Sequence, residues 1–253
     1  MVIPRVGLYG FGRAGRAVAT VLLNSKEIRL EWVIRQSHKM EHRSVSEFLG
    51  IESDEPGTII SVEADEYPTL FEHSPVDIIV DFSSLSGIER YEEIAMRYKI
   101  PVVSAISDYD DNHKDRLQKM AQVIPVLWSP NITLGVNFLL VASRILRNIA
   151  PWTDVEVLEE HYRDKREVSG TARKLAEAVQ CPEDKIHSIR AGGIIGRHEV
   201  LFGFPFQTVR LIHESISREA FGNGALFAIK NMLGKPPGLY SMEDLLEPWF
   251  RNP

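Results

Sequence analysis

Along residues 5–128, short runs of β-branched and apolar residues alternate with amphipathic stretches. RVGLY precedes a helical pattern over 14–23, and LEWVI and TIISV follow as further strands. VDIIVDF then precedes a helical pattern over 87–98, PVVSA one over 112–123, and PVLW closes the series. Continuous apolar strands separated by helices predict a parallel sheet covered on both faces. This half reads as a doubly wound, Rossmann-type α/β domain.

The rhythm changes near Ser129–Asn131. An apolar helix is predicted over 134–149, then the strand DVEVLEEHY, in which Val155 and Val157 alternate with acidic residues. A helix follows with Ala172, Leu175, Ala176 and Val179 on one face. Three extended runs come next, KIHSIRA, IIGRHEVLFG and QTVRLIHES. Strands that follow strands predict a mixed or antiparallel sheet in a second, α+β domain. A helix over 218–233 and the ending PPGLYSMEDLL, a Pro-Gly turn and a short helix, complete the chain. The expected division is 1–129 for the first domain, with about 222–253 returning to it, and 130–221 for a second domain that binds substrate and makes the oligomer contacts.

Composition narrows the classes. The 253 residues are 44% hydrophobic and 25% charged, with net charge -6 and scattered Lys and Arg. These values carry no electrostatic footprint for nucleic acid or an anionic membrane. The one cysteine, Cys181, can form neither an intramolecular disulfide nor a thiolate metal cluster, and no His-x-x-x-His spacing compensates, so no metal is expected. The most membrane-like stretch, 132–145, contains Asn137 and Arg144 and is too short to span roughly 30 Å of hydrocarbon. MVIPRVGLYG lacks the apolar core and cleavage site of a signal peptide, so a soluble protein is expected, and the single Cys181 makes a reducing cytoplasm its simplest home.

GFGRAG, formed by Gly10, Phe11, Gly12, Arg13, Ala14 and Gly15, follows a strand and opens a helix. In that setting Gly10 makes the tight turn, Gly12 admits a pyrophosphate to the backbone, and Gly15 lets helix pack on strand. At the end of the second strand an NAD site places an acidic residue on the ribose; this chain has Arg35, Gln36, Ser37, His38 and Lys39. Cations there suit a 2′-phosphate. NADPH is the expected cofactor, with NADH possible.

EEHYRDKREVSGTA, residues 159–172, crowds polar groups where a strand gives way to a loop and a helix. His161 ends the strand, Lys165 follows in the loop, and Ser169-Gly170-Thr171 stands at the helix mouth. Ser169 or Thr171 can cap the helix, whose first-turn amides attract a carboxylate or phosphate. Helix mouth, Lys and His together describe a site for a small anion with proton-transfer capacity. The bland alternative is an ordinary N-cap beside solvated charge, with Arg163, Lys165 and Arg166 balanced by Glu159, Glu160, Asp164 and Glu167.

EEHYRDKREVSGTA resembles the motif of the 4-hydroxy-tetrahydrodipicolinate (dihydrodipicolinate) reductases. SPNITLGVNFLL before it, and IRAGGIIGRHEVLFG, LIHESISREAFGNGALFAI and PGLYSMEDLL after it, resemble further family segments in the same order. The resemblance implies NAD(P)H-dependent reduction of a cyclic dicarboxylate in lysine and diaminopimelate biosynthesis. It assigns His161 as general acid/base and Lys165 as proton donor. Tyr162, Ser169, Gly170 and Thr171 fall at substrate-binding positions, Gly10 to Ala14 and Arg35 at phosphate and ribose positions. Ser104, Ala105 and Ile106, with Ser129, Pro130, Asn131 and Ile132, fall beside the nicotinamide. Family members are usually homotetramers built on the second domain's sheet, so a homo-oligomer, tetramer or dimer, is expected.

Three segments depart from the family pattern. Tyr162 replaces a second His, Glu-Val replaces Asp-Ala-Pro before Ser-Gly-Thr, and Ser104-Ala105-Ile106-Ser107 replaces a Gly-Thr-Thr-Gly loop. The chain between Cys181 and Arg190 is also shorter than its counterpart. These differences keep two other functions open: a reductase of a related cyclic imine or amino-acid-derived acid, and a non-catalytic NADP-binding regulatory protein.

Overall fold

The computed structural model describes residues 3–37, 43–55, 57–64 and 67–251. Two compact units emerge, one running to Ile132 and resuming at Phe221–Leu245, the other comprising Thr133–Ala220 and the residues from Leu246 onward. The sequence had placed the chain's end with the first domain; from Leu246 it groups instead with the second unit, where Phe250 stacks on Phe138 at 5.2 Å between ring centroids.

The first unit begins β1 (Arg5–Tyr9), α1 (Arg13–Asn24), β2 (Arg29–Arg35), α2 (Val45–Leu49) and β3 (Thr58–Ser61). It continues α3 (Leu70–His73), β4 (Ile78–Asp81), α4 (Ile88–Tyr98), β5 (Val102–Ser104), α5 (Asp111–Ala121) and β6 (Pro125–Trp128). In the second unit come α6 (Leu134–Ile149), β7 (Asp154–His161), α7 (Gly170–Ala178), β8 (Ile186–Arg190), β9 (Arg197–Phe204) and β10 (Gln207–Glu214). Then α8 (Glu219–Met232), β11 (Gly238–Tyr240) and α9 (Met242–Arg251) close the chain.

Six of the seven strands of the first sheet are those read from the apolar runs, and every pairing is parallel, in the order β11-β6-β5-β4-β1-β2-β3. The seventh, β11, was read as part of a turn. Its three residues pair with β6, a contact invisible to local pattern. The short helices α2 and α3 also went unread, being too brief for helical periodicity to register. Ser44 caps α2 by accepting the Glu47 amide, and Gly50 ends it in the left-handed conformation at φ 68°.

The first core is aromatic on one side of the sheet. Tyr9, Trp32, Phe71 and Tyr91 are almost fully buried, and Tyr9 meets Trp32 edge-on at 5.7 Å. Because β1 lies between β2 and β4, the chain direction of successive connections reverses there. In open α/β sheets that reversal leaves a crevice beyond the strands' carboxyl ends.

The second sheet is mixed, in the order β10-β9-β7-β8, with β7 parallel to β8 and antiparallel to β9. Val155, Val157, Val200 and Phe202 face a core completed by Leu139, Leu140, Leu175 and Val179 from α6, α7 and the end of α7. Among the described residues no helix is long and apolar enough to cross a membrane.

Candidate active site

In the first unit, the carboxyl ends of β1, β2 and β4 open on a cavity of about 380 Å³ lined by Gly10, Phe11, Gly12, Arg35, Gln36, Ser83, Ser84, Ser86 and Gly87. Gly10 holds φ at 93°, and a Cβ there would stand 2.4 Å from the Phe82 carbonyl oxygen. A Cβ on Gly15 would come within 2.0 Å of the Gly10 carbonyl oxygen, so helix and strand meet backbone to backbone. Beside Gly12 there is nothing within 4 Å. Two glycines are thus required by packing, while the third keeps space open over the helix start. That is the division of labour a pyrophosphate needs.

Among the described residues the cavity lining includes the guanidinium groups of Arg16, Arg35 and Arg90 and no carboxylate. Arg16 is held in place by aromatic faces, lying 4.8 Å from the Phe48 ring centroid and 5.5 Å from that of Phe11, and its Nε donates to the Phe11 carbonyl at 3.2 Å. Beneath, the fully buried Asp81 accepts hydrogen bonds from the Ser83 amide at 2.9 Å, the Ser83 hydroxyl at 2.5 Å and the Tyr91 hydroxyl at 2.9 Å. Burial pushes its carboxyl above the ordinary value despite these donors. The donor set, the positive rim and the glycine spacing all fit a dinucleotide.

In the second unit, strand register assembles a polar row. Glu159 of β7 lies between Ser188 of β8 and His198 of β9, and His161 lies opposite Arg190. Glu159 is completely buried and both its oxygens are occupied: Oε1 accepts from the Ser188 hydroxyl and from Arg190 Nη2, each at 2.5 Å, and Oε2 from His161 Nδ1. Burial opposes its charge, but Arg190, Ser188 and His161 outweigh it and hold the carboxyl below the ordinary value. An ionised carboxylate only accepts, so Nδ1 of His161 carries a proton and Nε2 is turned to the far side of the ring. Burial depresses the His161 pKa, the Glu159 charge resists, and the positive charges of Lys165 and Arg190 push the same way as burial.

Arg190 also fixes the loop that carries Lys165. Its Nε donates to the Lys165 carbonyl at 2.8 Å and its Nη2 to the Glu167 carbonyl at 2.9 Å. Lys165 is half-buried, whereas Arg163 and Arg166 are exposed. At the end of this loop Ser169 caps α7 by accepting the Ala172 amide at 3.0 Å, and the space beside Gly170 is open to at least 4 Å. Ser169 Oγ also lies 3.0 Å from Nε2 of His198, whose ring meets His161 edge-on with centroids 5.2 Å apart. Ligand atoms of Glu159, His161 and His198 lie within 4.8 Å of one another, but the Glu159 oxygens face a guanidinium, a hydroxyl and an imidazole N–H. Such a carboxylate orients an imidazole.

The two halves of the chain match two halves of one family. Residues 4–132 match the family described as "Dihydrodipicolinate reductase, N-terminus", and 132–246 match "Dihydrodipicolinate reductase, C-terminus". The chain belongs to the dihydrodipicolinate reductase family. Fold and family together make it an NAD(P)H-dependent oxidoreductase that uses a pyridine nucleotide. It is 31% identical to the 4-hydroxy-tetrahydrodipicolinate reductase of Syntrophus aciditrophicus, over 94% of this chain and 96% of that one. With the enzyme of the same name from Pseudoalteromonas atlantica identity is 28%, over 96% and 98%. Among solved structures, the dipicolinate-bound dihydrodipicolinate reductase of Paenisporosarcina sp. TG-14 superposes with a TM-score of 0.76 at 20% identity, covering 95% of this chain and 98% of that one. The amine dehydrogenase of Mycobacterium smegmatis shares the fold at a TM-score of 0.65 and 12% identity, over 96% of each chain.

Within this reductase fold, the sequence-derived residues fall into separate groups. Gly10, Phe11, Gly12, Arg35 and Gln36 line the cavity, with Arg13, Ala14 and Gly15 in the first turn of α1 above it. His38 and Lys39 lie outside the described residues. Ser104 and Ile106 turn inward: Ser104 donates to the Tyr109 hydroxyl at 3.1 Å, and the Ile106 carbonyl accepts from Trp128 Nε1 at 2.8 Å. The Ala105 amide is bonded to the Asp81 carbonyl at 2.9 Å, so the glycine-free loop is tied down on both sides. Ser129 and Ile132 are buried, and the Ser129 hydroxyl donates to the Asn131 carbonyl at 2.8 Å, with Pro130 exposed between them. Tyr162 is 47% exposed at the start of the Lys165 loop.

The bland reading of Glu159 as a counter-charge on a solvated face is overturned, since it is wholly buried. Its signal was present in the period-2 alternation, which puts residues 159 and 161 on one face with Val157. Arg90 and Ser83, Ser84, Ser86 and Gly87 were missed because β4 is β1's neighbour only in the folded sheet, and Arg16, just past the glycine motif, because its place on the cavity wall depends on contacts with Phe11 and Phe48. Ser188, Arg190 and His198 were missed for the same reason, as each reaches the site through strand pairing.

Proposed function

We propose that this reductase converts 4-hydroxy-tetrahydrodipicolinate to tetrahydrodipicolinate in lysine and diaminopimelate biosynthesis, with NADPH preferred over NADH. The observation that carries the reading is the Glu159-oriented imidazole of His161, set in the same unit as Lys165 and the open mouth of α7. The names of the curated relatives support it, as does the binding of dipicolinate, a planar cyclic dicarboxylate, by the Paenisporosarcina reductase.

When bound, the reduced nicotinamide supplies a hydride to the ring carbon that carries the hydroxyl. The hydroxyl first leaves as water together with one proton of the neighbouring ring carbon, which makes its carbon conjugated, and the hydride is then balanced by one proton taken up by the ring. Lys165 supplies an ammonium that stabilises and protonates charge developing on the ring nitrogen or its enamine partner. His161, protonated on Nδ1 by its bond to Glu159, manages the proton of the hydroxyl or water at Nε2. Ser169, Gly170 and Thr171 receive one substrate carboxylate at the helix start. Arg35 reads the 2′-phosphate, with Gly10 to Gly15 cradling the pyrophosphate.

The exposed Tyr162 favours one second reading, reduction of a related cyclic imine or amino-acid-derived acid, because a phenol offers a neutral donor where the family resemblance has an imidazole. The deciding assay is NADPH and NADH oxidation by the purified protein with substrate formed in situ from pyruvate and aspartate semialdehyde. Turnover supports the first reading; none, with NADPH still bound tightly, overturns it in favour of the second.

The single, buried Cys181 is consistent with a cytoplasmic enzyme. We assign it a homo-oligomer, tetramer or dimer, joined through the second sheet, where Ile189 is 44% and Ile212 is 52% exposed. Light scattering that returns a monomer mass would remove that assignment.

A further inference from the structure

The environment of His198 exceeds what its strand position requires. It is 5% exposed, yet it is an imidazole rather than an apolar residue, and it stands between the His161 ring and the cap of α7. Its Nε2 has one partner, the Ser169 hydroxyl at 3.0 Å. Its Nδ1 is buried without a hydrogen-bond partner. Burial is the main force holding this imidazole neutral; His161, His213 and Lys165 act in the same direction and the Glu159 charge opposes them.

A neutral imidazole has one N–H and one bare nitrogen, and here only one nitrogen has a partner. An orphaned buried N–H is rarer in proteins than an under-used acceptor, so the proton belongs on Nε2 and the bare lone pair on Nδ1. Ser169 Oγ then accepts twice, from the Ala172 amide at 3.0 Å and from His198. A hydroxyl has two lone pairs and one proton, so with both lone pairs engaged its O–H must donate elsewhere. No acceptor within the protein is bonded to it among the described residues; Ser169 is 5% exposed, and at the next position of the helix mouth a Cβ on Gly170 would meet nothing within 4 Å.

We propose that His198 is a positioning residue that, by donating its Nε2–H to Ser169, turns the Ser169 hydroxyl proton outward as a third donor, with the Gly170 and Thr171 amides, to a substrate carboxylate. The inference rests on the reading of the α7 mouth as the carboxylate cradle. It adds a hydroxyl whose direction is set from β9, one strand away from the acid/base imidazole.

Two measurements test it. In the wild-type protein labelled with 15N-histidine, the NMR signal assigned to His198 by its loss in His198→Gln should show the Nε2–H tautomer; the Nδ1–H tautomer overturns the proposal outright. Calorimetric binding of dipicolinate to the nucleotide-loaded protein is the second. Losing a charge-assisted hydrogen bond weakens binding roughly 10-fold or more. Ser169→Ala and His198→Phe should each do so, the double variant should lose little beyond either, and His198→Gln, which retains an amide donor, should recover most of the loss. If Ser169→Ala leaves dipicolinate affinity unchanged, the cradle reading fails and the proposal with it. If Ser169→Ala weakens binding but the tautomer is Nδ1–H, or His198→Phe binds normally, the cradle stands and the proposal alone is overturned. Should His198→Phe fail to fold, the wild-type tautomer and the His198→Gln affinity still decide.

Discussion

The Glu159 carboxylate accepts the Nδ1–H of His161 two residues further along the same strand. That spacing puts both side chains on one face of β7, and complete burial of the carboxylate makes the contact obligatory. Arg190 and Ser188 take the other oxygen, so the pair is compensated from the neighbouring strand.

Glu159→Gln keeps the shape and removes the charge that raises the His161 pKa. With desolvation and the Lys165 and Arg190 charges left unopposed, that pKa should fall further below its already lowered position. Turnover should drop roughly 10- to 100-fold with little change in nucleotide affinity. Steady-state kinetics and an NMR titration of His161 check this, and an unchanged turnover would release Glu159 from any orienting role.

Lys165→Ala should lower turnover by roughly 100-fold or more, in the range of a lost proton donor. The loop should keep its course, because Arg190 holds the Lys165 backbone carbonyl and not its side chain. Fluorescence titration with NADPH should therefore be within about twofold of wild type. Near-normal turnover would take Lys165 out of the mechanism.

Arg35→Glu reverses the charge at the end of β2, on the cavity wall. A carboxylate there suits free ribose hydroxyls and repels a 2′-phosphate. The kcat/KM ratio for NADPH over NADH should fall at least roughly 10-fold. If the ratio is unmoved, the phosphate is read elsewhere, with Arg16 and Arg90 the next residues to exchange.

The glycines of the phosphate loop should respond differently to the same substitution. Gly12→Ala meets nothing within 4 Å and should melt like wild type while losing nucleotide affinity. Gly15→Ala places a methyl 2.0 Å from the Gly10 carbonyl oxygen and should cost roughly 1–3 kcal/mol of stability. Equal melting temperatures for the two variants would contradict the packing described.

Acid should destabilise the second unit in part through His198. Burial, then the charge of His161, depress its pKa to about 3 from 6.5. Above pH 6.5 neither folded nor unfolded chain protonates it, so its contribution is intact. As pH falls from there towards 3, only the unfolded chain takes up the proton, and stability declines. Linkage puts the loss at about 2 kcal/mol by pH 5. Denaturant melts at pH 7 and pH 5 should show a smaller decline in His198→Gln; an equal decline in both proteins would assign the acid sensitivity to other groups.

Much of this was legible in residue order because the signals are local. Apolar runs spaced by amphipathic helices specified six strands of the first sheet, and the glycines of GFGRAG specified a turn that packing requires at Gly10 and Gly15. The capping serine of α7 was likewise readable, since a cap bonds within its own first turn. Tyr162 and the segment Ser104 to Ser107 stood out as departures, and the fold separates them. Tyr162 is at the surface, while Ser104 and Ile106 are absorbed into the protein by Tyr109 and Trp128.

The sequence by itself determined the two-domain α/β and α+β plan, the dinucleotide turn and the crowding of His161, Lys165 and Ser169 into one strand-loop-helix segment. Only the tertiary structure decided that Glu159 is buried beneath His161, that Arg190 clamps the Lys165 loop, and that His198 meets Ser169. The physical reason is range. Caps, turns and periodicity are settled within a few residues, whereas the partners of Glu159 and Ser169 come from β8 and β9, about 30 residues away in sequence, and are brought beside them by strand register.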